Sequence, residues 1–357
     1  MAYPEWSEIW RNRMDNTFSF MAPWYVPMMA TETPTFMGRP HASKPEELKG
    51  ADVVIIGAPY VAGWGGYAGV GKEEWLAAAK RIRQQSARYG SGYIQEFDID
   101  VFEHLKMVDY GNADIPPESL TEPTAENILR AQAAVEKKVN DALDAGAIPI
   151  VIGQNSPCGS FAIAKPVAER AKGKVGMISL DTHWDIAPLD KLTMDPRIAG
   201  SDSWKYKTYE LCPQYDMANL VEIGERGMLE DKVQVRRFIA GGTHFFPMWR
   251  IRRGFDVEKI CGELRHAYDG TDKVYVHFDM DVIGGAGPAS GDILGDLAEP
   301  IGMTDYEVLR IAYEVGRRGL DAMSFICIPP GSPVIYRLIV YVIMYLCAGL
   351  AERRAGR

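Results

Sequence analysis

Two short stretches carry side chains whose types and spacing can do chemistry. Asp181-Thr-His183-Trp-Asp185 sets three potential metal ligands at every second residue, and Asp279-Met-Asp281 repeats the alternation. In extended chain, residues so spaced point to one side. Four carboxylates and an imidazole brought together repel unless a cation neutralises them, and this ligand mix suits manganese, nickel, zinc or iron. A lone acidic pair reads as a helix cap or as solvated loop residues. Two such stretches, each following an apolar run, favour a divalent metal centre. His277 precedes Asp279 by two residues and falls on the same side, either as the partner of a ligand or as a packed core imidazole.

The elements that must position these groups are short and β-branched. Apolar runs at 52–57, 148–153, 175–180, 220–224, 274–278 and 322–326 each read as a strand buried on both faces. Helical patterns lie between several of them, most clearly at 125–145 and at 304–317, the latter opened by a Thr304 cap with Glu307 three residues on. Strand and helix in succession predict an α/β fold, a three-layer α/β/α sandwich with a mainly parallel central sheet. In such sheets ligands collect beyond the carboxyl ends of the strands. Asp181 and Asp279 each follow a strand run, and Gly153-Gln-Asn155-Ser156 follows a third. Residues 1–48, rich in Trp, Met and Pro, read as an N-terminal extension to a single domain over 49–357. The apolar stretch 334–351, interrupted by Arg337, reads as a buried terminal helix and no membrane span.

The order of the motifs resembles the ureohydrolase family of arginases, agmatinases and related guanidino hydrolases. That family carries a GGxHS element, then DAHxD, then DxD followed by Asp-Pro; the same order and strand context run here from about residue 50 to about residue 350. The resemblance implies an arginase-like fold and a metal-dependent hydrolase that cleaves a guanidino C–N bond, releasing urea or a substituted urea. It implies that Asp181 and Asp279 bridge two ions, nickel or manganese, that His183 and Asp281 bind one of them, and that Asp185 and the residue at Asn155 bind the other. It further implies an oligomer of homologous subunits, a trimer or hexamer, acting on a small guanidino substrate.

The chain departs from that pattern at separate points. Asn155 stands where the family has its first histidine, and a neutral amide binds transition metals poorly. Gly284-Gly285 replaces the Asp-Pro. Cys327 aligns near the glutamate that pairs with the guanidinium, and the expected catalytic histidine falls in Ser201-Asp-Ser-Trp-Lys205, which has none. Together these losses predict a weakened site with one ion or none in this chain, and a partly structural subunit beside an active homologous chain. In this respect the pattern resembles two-subunit biguanide hydrolases of the metformin hydrolase type. The alternative is a fully active binuclear hydrolase of a non-standard guanidino substrate.

Composition narrows the remaining classes. The 357 residues are 47% hydrophobic and 24% charged, an ordinary globular balance. A net charge of -9 with scattered basic residues argues against nucleic-acid partners. Five cysteines without a CxxC pair, and a start lacking an apolar run, fit a reduced cytoplasmic protein. Gly66 to Lys72 has the GxxxxGK spacing, but Glu73 stands where a phosphate loop needs Ser or Thr. The same glycine-rich segment places Trp64 and Tyr67 as candidate contacts to substrate or a neighbouring chain, with Cys327 and His277 as further substrate-contact candidates. Gly241-Gly-Thr-His244 mimics GGxHS in the wrong order, so His244 reads as a packed or surface imidazole. A nucleophilic Cys158 or Cys327 would need a paired base, and neither has a histidine in its local segment.

Overall fold

The computed structural model describes residues 26–30, 32–61, 66–67, 70–190, 193–284, 299–331 and 333–356. Trp64, Gly285 and the first 25 residues of the N-terminal extension lie outside the described residues. Eight strands form the central sheet: β1 Val53–Gly57, β2 Met107–Asn112, β3 Ile148–Ile152, β4 Lys174–Leu180, β5 Tyr215–Ile223, β6 His244–Phe246, β7 Thr271–Asp279 and β8 Ala322–Ile326. Their order is β6-β5-β4-β7-β8-β3-β1-β2, and every pairing is parallel. Six of the eight coincide with the apolar runs. The two without a sequence signal, β2 and β6, are the edges, where one side of the ladder is open and a continuous apolar run is not required.

Alternation along each strand divides the core in two. Val53, Ile55, Ile178, Leu180, Val276 and Phe278 face one apolar layer, while Val54, Ile56, Val175, Met177 and Tyr275 face the other. The first layer is covered by α1 Ala78–Ser86, α6 Val257–Glu263, α7 Asp305–Arg318 and α8 Pro333–Ala355, the second by α2 Ala125–Asp144, α3 Ala162–Glu169, α4 Trp204–Leu211 and α5 Lys232–Ala240. The expected α/β/α sandwich is therefore the observed one. Helix α7 opens on the expected capping box: Thr304 Oγ1 accepts from Glu307 N, and the Glu307 carboxylate accepts from Thr304 N. Helix α8 is long and apolar enough to cross a membrane, yet 72% of its most apolar window is buried inside the protein.

Residues 26–48 are tied to the β2 edge. Asp109 exchanges backbone hydrogen bonds with Pro40 and Ala42, and its carboxylate accepts from Phe36 N and pairs with Arg83 of α1 at 2.8 Å, both side chains fully buried.

The registers place the chemistry. Leu180 of β4 lies beside Phe278 of β7 and Ile223 of β5; Asp279 lies beside Ile326 of β8, and Phe325 beside Ile152 of β3. The segments leaving β5, β4, β7, β8 and β3 therefore emerge side by side at one edge of the sandwich. The first three strands and β4–β6 wind in opposite directions from this point, which is where an open parallel sheet leaves a crevice.

Candidate metal centre

Asp181 continues β4 and is fully buried; its Oδ1 accepts from His183 N at 2.7 Å, which turns the chain so that His183 faces the crevice. Asp279 ends β7 and caps a one-turn 3-10 helix by accepting from Asp281 N at 2.9 Å. Asp281 then joins the two strand tips. Its Oδ1 accepts from Thr182 N at 3.1 Å, its peptide oxygen accepts from Thr182 Oγ1 at 2.7 Å and Arg226 Nη2 at 2.9 Å, and its Oδ2 lies 3.0 Å from His183 Nδ1. Gly224, at φ +109, lets the chain after β5 pass against this junction: a Cβ there would stand 2.4 Å from Val282 Cγ2 and 2.9 Å from Asp181 O.

Ligand atoms of Asp181, His183 and Asp281 lie within 4.8 Å of one another, and so do those of Asp181, His277 and Asp279. Asp185 belongs to neither group. Its backbone is left-handed at φ +51, its peptide oxygen accepts from Lys205 N, and its Oδ2 accepts from the Trp204 indole at 2.9 Å. Asn155 reaches the crevice, but its amide nitrogen donates to Ser201 Oγ at 2.5 Å. Cys327, also left-handed at φ +51, lines the crevice, which Asp279 lines as well. Thus His183, Asp281, Asp181, Asp279 and His277 are brought together, whereas Asp185 and Asn155 are engaged by α4 and the loop before it.

Three ionisable side chains enter that no motif had marked. Lys205, in the first turn of α4, is fully buried with its ammonium 2.7 Å from Glu222 Oε1 and 3.6 Å from Asp181 Oδ2. Glu222 lies on β5, and buried Glu225 follows it with both carboxylate oxygens lacking hydrogen-bond partners. The one available signal was Glu222 itself, a charge inside a run otherwise read as buried on both faces.

Electrostatics follow from this crowding. Burial pushes the Asp181, Asp279 and Glu225 carboxyls well above the usual range, with Lys205 opposing the shift at Asp181 and Glu225. Burial also pushes Asp185 up to about 7 against the same ammonium. Burial alone would lower the His183 imidazole, yet the Asp281 contact outweighs it and holds the ring up at about 10. Burial drives His277 well below the usual imidazole value, and Lys205 adds to the effect. His277 Nδ1 lies 3.4 Å from Ser324 Oγ, and its Nε2 lies 3.8 Å from Asp181 Oδ2.

The site opens into a cavity of about 950 Å³. Acidic Asp202, Glu230 and Asp231 share its wall with Leu189, Met194, Leu229 and Val233.

A sequence profile of the Arginase family matches residues 51–331. The chain belongs to the arginase family. Proclavaminate amidinohydrolase of Streptomyces clavuligerus is 30% identical over 179 residues, so the match spans about half of each chain, 49% of this one and 48% of the relative. The solved structure of that protein covers 90% of this arginase-family chain and 97% of its own, at a TM-score of 0.67 and 22% identity. Trypanosoma cruzi formiminoglutamase with Mn2+ aligns at a TM-score of 0.67 and 23% identity, covering 90% of this chain and 99% of its own. Formimidoylglutamase of Bacillus subtilis gives 0.71 at 16% identity, covering 91% and 94%. Identities this low carry the fold alone.

Whether this arginase-family chain suits a divalent ion is tested by its own atoms. Asp181 Oδ2 and His277 Nε2 are buried without hydrogen-bond partners, and Asp281 Oδ2 has the His183 imidazole beside it. Buried polar atoms are rarely left so, and a cation satisfies several together. Two ligands at right angles, each about 2.1 Å from an ion, stand about 3 Å apart, which is the separation of His183 Nδ1 and Asp281 Oδ2. The Asp181, His183 and Asp281 set therefore fits an ion. The Asn155 side does not, because its side chain is a neutral amide that binds transition metals poorly; Asp185, whose Oδ2 accepts from the Trp204 indole, keeps its other oxygen.

Proposed function

We propose that this chain is a metal-poor, partly structural subunit of a cytoplasmic ureohydrolase-type assembly that hydrolyses a guanidino or biguanide C–N bond, as metformin hydrolase does. Residues 49–357 form its ureohydrolase-like domain, and the preceding 48 are an added segment. The observation that carries the reading is Asn155: at the position of a ligand histidine it offers a neutral amide already bonded to Ser201 Oγ at 2.5 Å. The thiol of Cys327 beside Asp279 has the same bearing, since a neutral thiol supplies no charge for a guanidinium.

Asp181, His183 and Asp281, with Asp279 beside them, would hold one divalent ion, nickel or manganese. When bound, such an ion polarises a substrate or activates water. The chain's own groups define the rest of the pocket. Asp202, Glu230 and Asp231 attract a cation, and the apolar side chains opposite them accept its substituents while excluding water. In the chain without an ion, His183 holds a proton on the ring that faces Asp281.

The test is the native assembly of this chain with its homologous partner, prepared with Asp279→Ala in this chain only. The expected result is turnover, read as urea or substituted urea released from guanidine, agmatine and a biguanide, nearly equal to that of the unmodified assembly. Loss of turnover, with the assembly still formed, would overturn the supporting role and favour an active centre in this chain.

A further inference from the structure

We propose that Lys205 is a covalently attached cation that takes the place of a second metal ion, so that the chain holds a single divalent ion at Asp181, His183 and Asp281. The inference deepens the metal-poor reading above and rests on it.

Lys205 is fully buried, and its ammonium pairs with Asp181 and Glu222, whereas Asp281 pairs with His183. It is 3.6 Å from Asp181 Oδ2, the oxygen that His277 Nε2 also approaches at 3.8 Å. Its field is felt at Asp181, Asp185 and His277. An ion bound by Asp181, His277 and Asp279 with a bond of about 2.1 Å would therefore lie within about 6 Å of a fixed positive charge. In a water-excluded site that repulsion is poorly screened.

The ammonium is also firmly held. Glu222 Oε1 lies 2.7 Å from it, and the Lys205 and Tyr206 backbone N–H groups donate to Asp185 O. The Trp204 indole, one residue earlier, donates to Asp185 Oδ2, and its ring packs on His277 at 4.5 Å between centroids. One turn of helix thus engages Asp185, backs His277 and inserts the lysine. A buried lysine is tolerated only where carboxylates surround it, and Asp181, Asp185, Glu222 and Glu225 supply that surround. Part of the charge a second ion would neutralise is already neutralised by the ammonium.

The experiment compares the full-length chain with Lys205→Met and Lys205→Arg. Each is dialysed against chelator, reloaded with manganese or with nickel, and measured for bound metal by mass spectrometry and for thermal stability. Lys205→Met is expected to bind about one equivalent more metal than the unmodified chain and to melt lower in chelator, with the loss reversed by the metal. Lys205→Arg should keep the unmodified metal content. Two equivalents in the unmodified chain would overturn the inference. So would a folded Lys205→Met with no added metal, or a Lys205→Met that fails to fold even when metal is supplied. Zero metal in the unmodified chain with one equivalent in Lys205→Met sinks the proposed ion at His183 and Asp281 while leaving the lysine's role standing.

Discussion

Asp281→Asn separates the charge of the central carboxylate from its shape. Asparagine retains an acceptor for Thr182 N and leaves the peptide oxygen on Thr182 Oγ1 and Arg226 untouched, but it removes the anion 3.0 Å from His183 Nδ1. In the metal-free protein the loss is that of one charge-assisted hydrogen bond, about 1.5 to 3 kcal/mol. For a chain of this length each kcal/mol moves the melting temperature by roughly 1 to 2 °C, so calorimetry in chelator should show a fall of about 2 to 5 °C. With metal at about a hundred times its dissociation constant, the unmodified chain gains a further ~2.7 kcal/mol. The variant, lacking one of three ligands, should gain almost none of it. An equal metal-dependent rise in both proteins, or a variant more stable than the original in chelator, would refute this reasoning.

Two further outcomes test the surroundings. Asp109→Ala strands Arg83 with no exposed surface and also removes the acceptor of Phe36 N, so unfolding in urea should reveal a loss of about 3 to 5 kcal/mol. A loss below about 1 kcal/mol would mean that the pair is not anchoring residues 26–48 to the sheet. The His183 imidazole, raised in the folded chain to about 10 from an ordinary value near 6.5, gives the metal-free protein stability that is fully present below 6.5 and lost as pH rises through about 10. The melting-temperature difference between the unmodified chain and His183→Gln in chelator should therefore be largest near pH 6 and shrink steadily toward pH 10; a constant difference contradicts the assignment.

Much of the sandwich was legible because a doubly covered parallel strand must be apolar on both faces, which makes runs such as 274–278 stand out. Strands β2 and β6 escaped for the converse reason: Asp109, Asn112 and His244 are tolerated at an edge. Alternation puts His277 on the side of Asp279, and ligand atoms of the two lie in one cluster with Asp181. Lys205 could not be found that way. It lies on a helix, more than 20 residues after Asp181, and reaches the cluster only because α4 packs against the end of β5 carrying Glu222. Likewise the sequence shows that Asp185 is spaced as a ligand, but only tertiary packing hands its carboxylate to the Trp204 indole.

The central claim is that carboxylates and an imidazole from separate strand tips converge on one cation. Crystals of the manganese-loaded chain, measured at the metal absorption edge, test it most directly. The account predicts a single anomalous peak bounded by Asp181, His183 and Asp281. A map with no peak there, or with its peak enclosed by Asn155 and Asp185 instead, would contradict it.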